Sequence, residues 1–228
     1  MTTYALLPGA GGAAWYWHRV VPLLEAAGHQ AVAIELPAAD TRAGLAEYAD
    51  VAVAALAGCP GPVVVVAQSM GAFTAPLVAA RVTDTVLLVL VNPMVPTAGE
   101  SPGQWWSATG QEAAMTANLQ RIKLSRTTFD PVADFFHDVP DDVRTAAFAA
   151  PEPAQSDTPF AQPWPLPSWP DIPTRVIAGS DDRLFPVDFQ RTVVRDRLGL
   201  DLDVLPGGHL IALSRPHELT DQLLAYGV

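Results

Sequence analysis

The sequence predicts an α/β fold: a mostly parallel sheet of about six strands, with helices on both faces and a small helical insertion. Short runs rich in Val, Ile and Leu recur with little alternation of polar and apolar residues, as in strands covered on both faces. Helical patterns lie between most of these runs. The alternation stops at residue 93 and resumes at residue 174, so the predicted core is residues 1–92 and 174–228, and the predicted insertion is residues 93–173.

The core elements are predicted from the apolar runs and from the residues that end them. Buried strands are predicted at residues 4–7, 30–34, 63–67, 86–91, 174–178 and 202–205. Helices are predicted at residues 17–27, 45–57, 70–82, 187–198 and 216–226. A glycine directly follows three of these helices, at positions 28, 58 and 199, which is typical of a helix end.

The insertion is predicted to be a lid over the core. Helical patches at residues 104–125, 131–136 and 141–148 precede a stretch with eight prolines between residues 151 and 173, through which no strand can run. Trp105, Trp106 and Trp164 in this segment need a surface to pack against. That need favours a lid with an extended return arm over a surface excursion without function.

The composition narrows the class of partner and the location. A net charge of −11 at pH 7 repels phosphate backbones, so nucleic acid is not an expected partner. Cys59 is the single cysteine, which excludes an internal disulfide, and the longest apolar run is too short to span a bilayer. Residues 1–7 have no basic stretch before their apolar run, so no secretory signal is expected. We therefore expect a cytoplasmic monomer or homodimer without a membrane partner.

The third strand leads into a pattern typical of an activated serine. The strand runs directly into Gln68-Ser69-Met70-Gly71, and a helix follows. This small-x-Ser-x-Gly pattern predicts a sharp turn that lifts the Ser69 hydroxyl above the sheet at a helix N-terminus, where developing negative charge is stabilised. The turn needs small residues at both flanks, and Ala67 and Gly71 meet that need. The alternative is that Ser69 is an ordinary helix N-cap.

A base and an acid for this serine are predicted in the loops after the last two strands. His209 follows two glycines directly after the sixth strand, and Asp181 and Asp182 follow the fifth. The carboxyl ends of parallel strands carry the site in such sheets, and the order Ser, acid, His fits a serine hydrolase. We favour Asp182 as the acid and Asp181 as a loop or capping carboxylate. The other histidines lie in predicted helical or surface positions.

The glycine-rich loop after the first strand, residues 8–14, can point backbone N–H groups at an anion. For acyl transfer, the expected donors are the N–H groups of Ala10 and Met70. The same loop also matches a dinucleotide-binding fingerprint, with Glu35 as its ribose-binding acid. This rival predicts an NAD-dependent oxidoreductase. Pro8 and the bulky aromatic residues that follow the loop count against it, and it leaves the loops of Ser69, Asp182 and His209 unexplained.

Taken together, these motifs resemble the α/β-hydrolase superfamily, and most closely its small-lid group of plant methylesterases and hydroxynitrile lyases. The resemblance is carried by the segments at residues 8–12, 15–29, 68–71, 182–190 and 207–209. It implies Ser69 as nucleophile, His209 as base, Asp182 as orienting acid and Ala10 as an oxyanion donor. The chain has Gly9 and Leu210 where the lyases carry Thr and Lys, so lyase activity is not expected.

The expected function is that of a serine esterase. It would cleave a carboxylic ester, or a related acyl bond, of a small apolar molecule through an acyl-enzyme, without metal or organic cofactor. The aromatic residues expected to contact the substrate, or alternatively to pack the lid onto the core, are Trp15, Trp105, Trp106, Phe135 and Trp164. An acyl thioesterase and a slow-turnover receptor on the same fold remain as alternatives.

Overall fold

The computed structural model describes residues 1–124, 126, 128–151 and 153–227. Its centre is a six-stranded sheet of order β2-β1-β3-β4-β5-β6, in which every neighbouring pair is parallel. The strands are β1 Thr3–Leu7, β2 Gln30–Ala33, β3 Val63–Gln68, β4 Thr85–Val91, β5 Thr174–Gly179 and β6 Asp203–Leu205. The predicted parallel six-stranded sheet is therefore confirmed.

Helices cover both faces of this sheet. Alternate residues of each strand point to opposite faces, so Tyr4 and Leu6 join one buried cluster while Ala5 and Leu7 join the other. The core helices are α1 Val21–Ala26, α2 Leu45–Ala55, α3 Gly71–Ala79, α9 Val187–Leu198, α10 Ile211–Ser214 and α11 Pro216–Ala225. Between β4 and β5 lie α4 Pro102–Thr109, α5 Gln111–Arg121, α6 Pro131–Phe135, α7 Asp141–Ala149 and α8 Thr158–Ala161. The apolar character of both faces of the central strands follows from this double cover.

Proline and glycine account for two differences from the predicted helices. The helix predicted at 17–27 begins only at Val21, as α1, and follows a 3₁₀ turn at Ala14–Trp17. Pro22 lies in the first turn of α1, where the N–H that proline lacks would have no partner within the helix. The predicted helix at 104–125 is two helices, because Gly110 adopts the left-handed conformation between α4 and α5. Residue 125, its predicted end, lies outside the described residues.

Five neighbouring strands end at the same edge of the sheet. The loops that follow β1, β3, β4, β5 and β6 therefore meet there. These loops carry the glycine-rich segment 8–14, Ser69, Asn92, Asp182 and His209. Along the described part of the chain, no helix has both the length and the apolar character that crossing a bilayer requires.

Candidate active site

Ser69 lies at a strained turn between β3 and α3. Its φ angle is 51°, a backbone conformation that residues other than glycine rarely adopt. Its N–H donates to the Val91 carbonyl at 3.0 Å. An ordinary N-cap residue has a β-region backbone, and its side chain accepts a backbone N–H from the first turn of the helix. Ser69 has a positive φ angle, and its hydroxyl accepts no such bond among the described residues, so its geometry differs from the helix cap that the alternative required. A Cβ atom at Gly71 would lie 2.6 Å from the Pro8 carbonyl oxygen, which explains the glycine at that flank.

His209 and Asp182 form a buried pair. Nδ1 of His209 lies 2.8 Å from Oδ2 of Asp182, and both side chains are almost completely shielded from solvent. The other carboxylate oxygen, Oδ1, accepts the N–H groups of Leu184 and Phe185, each at 2.9 Å, so the carboxylate is fixed in orientation. When the carboxylate accepts a hydrogen bond from Nδ1–H, Nε2 of His209 carries no proton and its lone pair is free to act as a base.

Asp181 is exposed and has a different set of contacts. Its carboxylate accepts from the Ser180 hydroxyl at 2.8 Å and from the Gly207 N–H at 3.4 Å. Its own N–H donates to the Gly207 carbonyl at 2.9 Å. Asp181 therefore joins the loops after β5 and β6, whereas the carboxylate in contact with the imidazole belongs to Asp182.

Two phenylalanine rings flank the imidazole of His209. Phe135 from α6 is tilted against it with ring centroids 5.2 Å apart, and Phe185 meets it edge-on at 5.0 Å. His209 is 2% exposed and Ser69 is 8% exposed. The loops of these two residues are also tied together, since the Gln68 side-chain amide reaches the His209 carbonyl at 3.5 Å. The site is thus covered, with apolar rings beside the base.

The glycine-rich loop lies directly beside Ser69. A Cβ atom at Gly9 would come within 3.0 Å of the Ser69 Cβ atom, which shows how closely the loop approaches the turn. Among the described residues, no acceptor is recorded for the N–H groups of Ala10 and Met70. The N–H of Gly11, in contrast, donates to Gln155 Oε1 at 2.9 Å. The two N–H groups expected to face an oxyanion are thus not used by an acceptor within the described part of the chain.

The same loop lacks the arrangement that a dinucleotide requires. The loop leads into a 3₁₀ turn rather than a helix N-terminus, and the carboxylate of Glu35 accepts the Ala14 N–H at 2.6 Å. A Cβ atom at Gly11 would lie 3.0 Å from the Pro153 ring, so the inserted segment covers the loop. Within the described ranges, no three His, Cys, Asp or Glu side chains come together as metal ligands would.

The aromatic residues suggested for substrate contact have different surroundings. Trp105 packs against Phe185 and donates its indole N–H to the Val95 carbonyl at 3.0 Å, and Trp106 lies beside Trp105. Trp164 is buried and donates to the Phe73 carbonyl at 3.0 Å.

Trp15 is 39% exposed and stacks on His18. Phe135 is the member of the predicted set that packs on His209. The surroundings of Trp105 and Trp164 favour the packing role that the sequence left open.

We expect Trp105→Ala to destabilise the fold rather than to alter substrate recognition. Losing a fully buried indole leaves a cavity, so the free energy of unfolding should fall by about 3–5 kcal/mol. Denaturant unfolding measures this loss, and Trp15→Ala at the exposed indole serves as a control expected to cost about 0.5 kcal/mol or less. A stable Trp105→Ala variant with a changed substrate preference would assign Trp105 to the binding site instead.

Two residues that the sequence analysis did not single out complete this edge of the sheet. Asn92, directly after β4, is buried and bonded to the end of β5 and to the loop of His209, and Gln190, on α9, is buried and bonded to the loop of Asp182. A polar residue at the end of a continuous apolar strand was the available signal for Asn92. Gln190 has no comparable local signal, because its position on a helix does not show which loop it contacts.

Comparisons with known proteins identify the family to which this fold belongs. The chain matches the profile of the "Alpha/beta hydrolase family" over residues 5–222. It is 22% identical over 253 residues to norfluorocurarine synthase 1 of Strychnos sp, covering 95% of this chain and 91% of that protein. It is also 22% identical over 245 residues to methylesterase 8 of Arabidopsis thaliana, covering 97% and 88%.

Among solved structures, polyneuridine aldehyde esterase superposes with a TM-score of 0.79 at 20% identity, covering 100% of both chains. The profile match and the esterase-named neighbours confirm the resemblance inferred from the motifs. The match spans nearly the whole chain, from β1 to α11. This chain therefore belongs to the alpha/beta hydrolase family.

Proposed function

We propose that this protein is a serine esterase that hydrolyses carboxylic esters of small apolar molecules. The observation that carries the proposal is the buried contact of 2.8 Å between His209 Nδ1 and Asp182 Oδ2, at the sheet edge where Ser69 occupies a strained turn. A hydroxyl becomes a nucleophile when such an oriented base lies beside it. The names of methylesterase 8 and polyneuridine aldehyde esterase support an ester as the substrate.

The first step transfers the acyl group to Ser69. Oγ of Ser69 attacks the carbonyl carbon while Nε2 of His209 takes the hydroxyl proton, and the carbonyl oxygen becomes an oxyanion. The N–H groups of Ala10 and Met70 are the proposed donors to this oxyanion, and one such donor stabilises the transition state by roughly 2.7–4 kcal/mol. The imidazolium then gives its proton to the leaving alkoxide, so the alcohol departs and the acyl-enzyme remains.

The second step releases the acid. Nε2 of His209 takes a proton from a water molecule, whose oxygen attacks the acyl-enzyme carbonyl. Collapse of the second oxyanion breaks the bond to Ser69 Oγ, which recovers its proton from His209. Throughout both steps Asp182 keeps Nδ1 protonated, and its negative charge stabilises the positive charge on the ring. The two backbone N–H groups bonded to its second oxygen hold the carboxylate in the orientation that this role needs.

We also propose that residues 93–173 form a lid over the site. Three contacts support this: Phe135 packs on His209, Asp138 Oδ2 accepts the Gly208 N–H at 2.7 Å, and Gln155 Oε1 accepts the Gly11 N–H at 2.9 Å. They connect the inserted segment to the loop that carries the base and to the loop that carries Ala10, one of the proposed oxyanion donors. Because Ser69 and His209 are buried, we propose that part of this cover moves when a substrate enters.

An ion pair ties helix α6 to the acid loop. The buried carboxylate of Asp134 accepts hydrogen bonds from Arg126, and Arg183 Nη1 lies 3.5 Å from Asp134 Oδ1 and 2.8 Å from the Ala133 carbonyl. Burial opposes the charged form, yet the hydrogen bond from Arg126 and the nearby cations hold the pKa of Asp134 below its ordinary value. Since α6 also carries Phe135, this pair links the cover to the residue that follows Asp182.

A panel of p-nitrophenyl esters of increasing acyl length, with acyl thioesters of the same chains, tests the proposal. We expect hydrolysis of the esters with short apolar acyl groups in preference to the thioesters. Phe135→Ala should shift the preference towards longer acyl chains, because it removes the ring beside His209. Phe148→Ala, at a half-exposed position on α7, is the matched control that should leave the preference unchanged.

Two results of this panel would contradict the proposed function. A consistent preference for acyl thioesters would indicate a thioesterase, and tight binding without turnover would indicate a receptor.

We further propose a cytoplasmic monomer or homodimer, which the single cysteine and the acidic net charge support.

A further inference from the structure

We infer that Asn92 is a positioning residue for the His209–Asp182 pair, an inference that rests on the proposed function. Asn92 directly follows β4, the strand between the one that leads to Ser69 and the one that leads to Asp182. Its side chain is fully buried and is bonded to the loops of both Asp182 and His209. It acts through His209 and does not itself contact the reacting atoms in this account.

Every polar atom of the Asn92 amide has a partner. Nδ2 donates to the carbonyl oxygens of Gly208 at 3.2 Å and His209 at 3.1 Å. Oδ1 accepts the Gly179 N–H at 2.8 Å and Nε2–H of Gln190 at 3.2 Å. Donors face acceptors at all four contacts, which fixes the orientation of the amide. One side chain thus joins the end of β5 to the loop that carries the base.

Gln190 extends the same network to the acid. Its Nε2 donates to the Phe185 carbonyl at 2.6 Å and lies 3.4 Å from Oδ2 of Asp182, the oxygen that also faces His209. The two N–H groups of Gln190 are thus shared among three acceptors, and these contacts form a closed path from Asn92 through Gln190 to Asp182, and from there through His209 back to Asn92. In a closed path of this kind, a shift of one loop breaks bonds in the other.

The backbone conformation at Asn92 is one that asparagine tolerates and most other residues do not. Its φ angle is 45°, in the left-handed region where asparagine is one of the few tolerated residues. The residue still donates its N–H to the Ile177 carbonyl at 2.9 Å. An apolar side chain here would be strained, and it would remove the Asn92 partner of the buried Gly179 N–H and Gly208 carbonyl, leaving the His209 carbonyl only the contact from Gln68.

The hydrogen bonds from Asn92 to the carbonyls of Gly208 and His209 fix the main chain of His209. They thereby fix the position of its imidazole relative to Ser69. A displacement of about 1 Å in such a site can lower the rate by about 100-fold. We therefore expect Asn92→Gly, which suits the positive φ angle and removes only the side chain, to lower kcat by roughly 10- to 100-fold. KM should change by about twofold or less, because binding contacts are unaffected.

A double-mutant cycle with His209→Ala separates positioning from general structural damage. The probe is the best p-nitrophenyl ester of the panel, and the measurements are kcat, KM and thermal unfolding. If Asn92 acts through His209, then adding Asn92→Gly to His209→Ala should change the residual rate by about twofold or less. Asn118→Ala, a buried asparagine on α5 whose carbonyl accepts from Arg121, is the matched control expected to keep the wild-type kcat.

Three results overturn the inference. The first is an equal loss of kcat when Asn92→Gly is introduced into the wild type and into His209→Ala. The second is a folded Asn92→Gly variant that keeps the wild-type kcat while His209→Ala is impaired. The third is a His209→Ala variant as active as the wild type, which defeats the proposed function itself. If Asn92→Gly does not fold, Asn92→Asp keeps the size and the acceptor and replaces the donor, and the same cycle is measured with it.

Discussion

Replacing Ser69 by alanine is expected to lower kcat for ester hydrolysis by on the order of 10⁵–10⁶-fold, because no acyl-enzyme can form without the hydroxyl. The substitution removes one oxygen from a side chain that makes no recorded hydrogen bond among the described residues, so the fold should be retained. Purified wild type and variant are compared with the same p-nitrophenyl ester at equal concentrations of folded protein.

Ser107→Ala is the matched control for this loss. Ser107 is an exposed residue of α4 whose hydroxyl donates to the Gln104 carbonyl, so its removal should leave kcat unchanged. A folded Ser69→Ala variant that keeps a tenth of the wild-type rate would show that another group is the nucleophile.

The second large effect is expected from Asp182→Asn, which should lower kcat by roughly 10⁴-fold. If the amide oxygen keeps the bonds from the N–H groups of Leu184 and Phe185, the NH₂ group faces His209 Nδ1 and donates to it, so the imidazole carries its proton on Nε2 and cannot act as the base. The bonds from the N–H groups of Leu184 and Phe185 can still be made by the amide oxygen, so the loop should remain folded.

Asp181→Asn is the adjacent control and should lower kcat by about threefold or less, as expected for a residue whose contacts only connect two loops. Measuring both variants with one ester, together with their thermal unfolding, ranks the two carboxylates. A larger loss from Asp181→Asn than from Asp182→Asn would assign the orienting role to Asp181 and contradict the proposed mechanism.

The sheet could be predicted from the sequence because buried parallel strands are continuous apolar runs. Each predicted strand lies within one residue of the observed ends of its strand, as at β3, predicted at 63–67 and found at Val63–Gln68. Helix ends were harder to predict, since Pro22 and Gly110 divide segments whose apolar pattern runs on. The apolar pattern of the sequence indicates which face of a helix is buried, whereas the point at which the helix ends depends on the backbone conformation.

The site could be predicted in part, for a reason that follows from topology. Ser69, Asp182 and His209 each follow a strand directly, and parallel strands bring such positions to one edge. The bonds of Asn92 could not be predicted, because they join residues 116 and 117 positions apart through loop conformations. The same holds for Phe135 on His209 and for Asp138 on Gly208, contacts between an inserted segment and a loop far along the chain.

The most direct test of the central claim is a fluorophosphonate titration read by intact mass on wild type, Ser69→Ala and His209→Ala. An activated serine is phosphonylated once, so we expect a single adduct on the wild type, none on Ser69→Ala and much slower labelling of His209→Ala. A folded wild type that stays unlabelled, or a Ser69→Ala variant labelled as fast as the wild type, would contradict the assignment of Ser69 as an activated nucleophile.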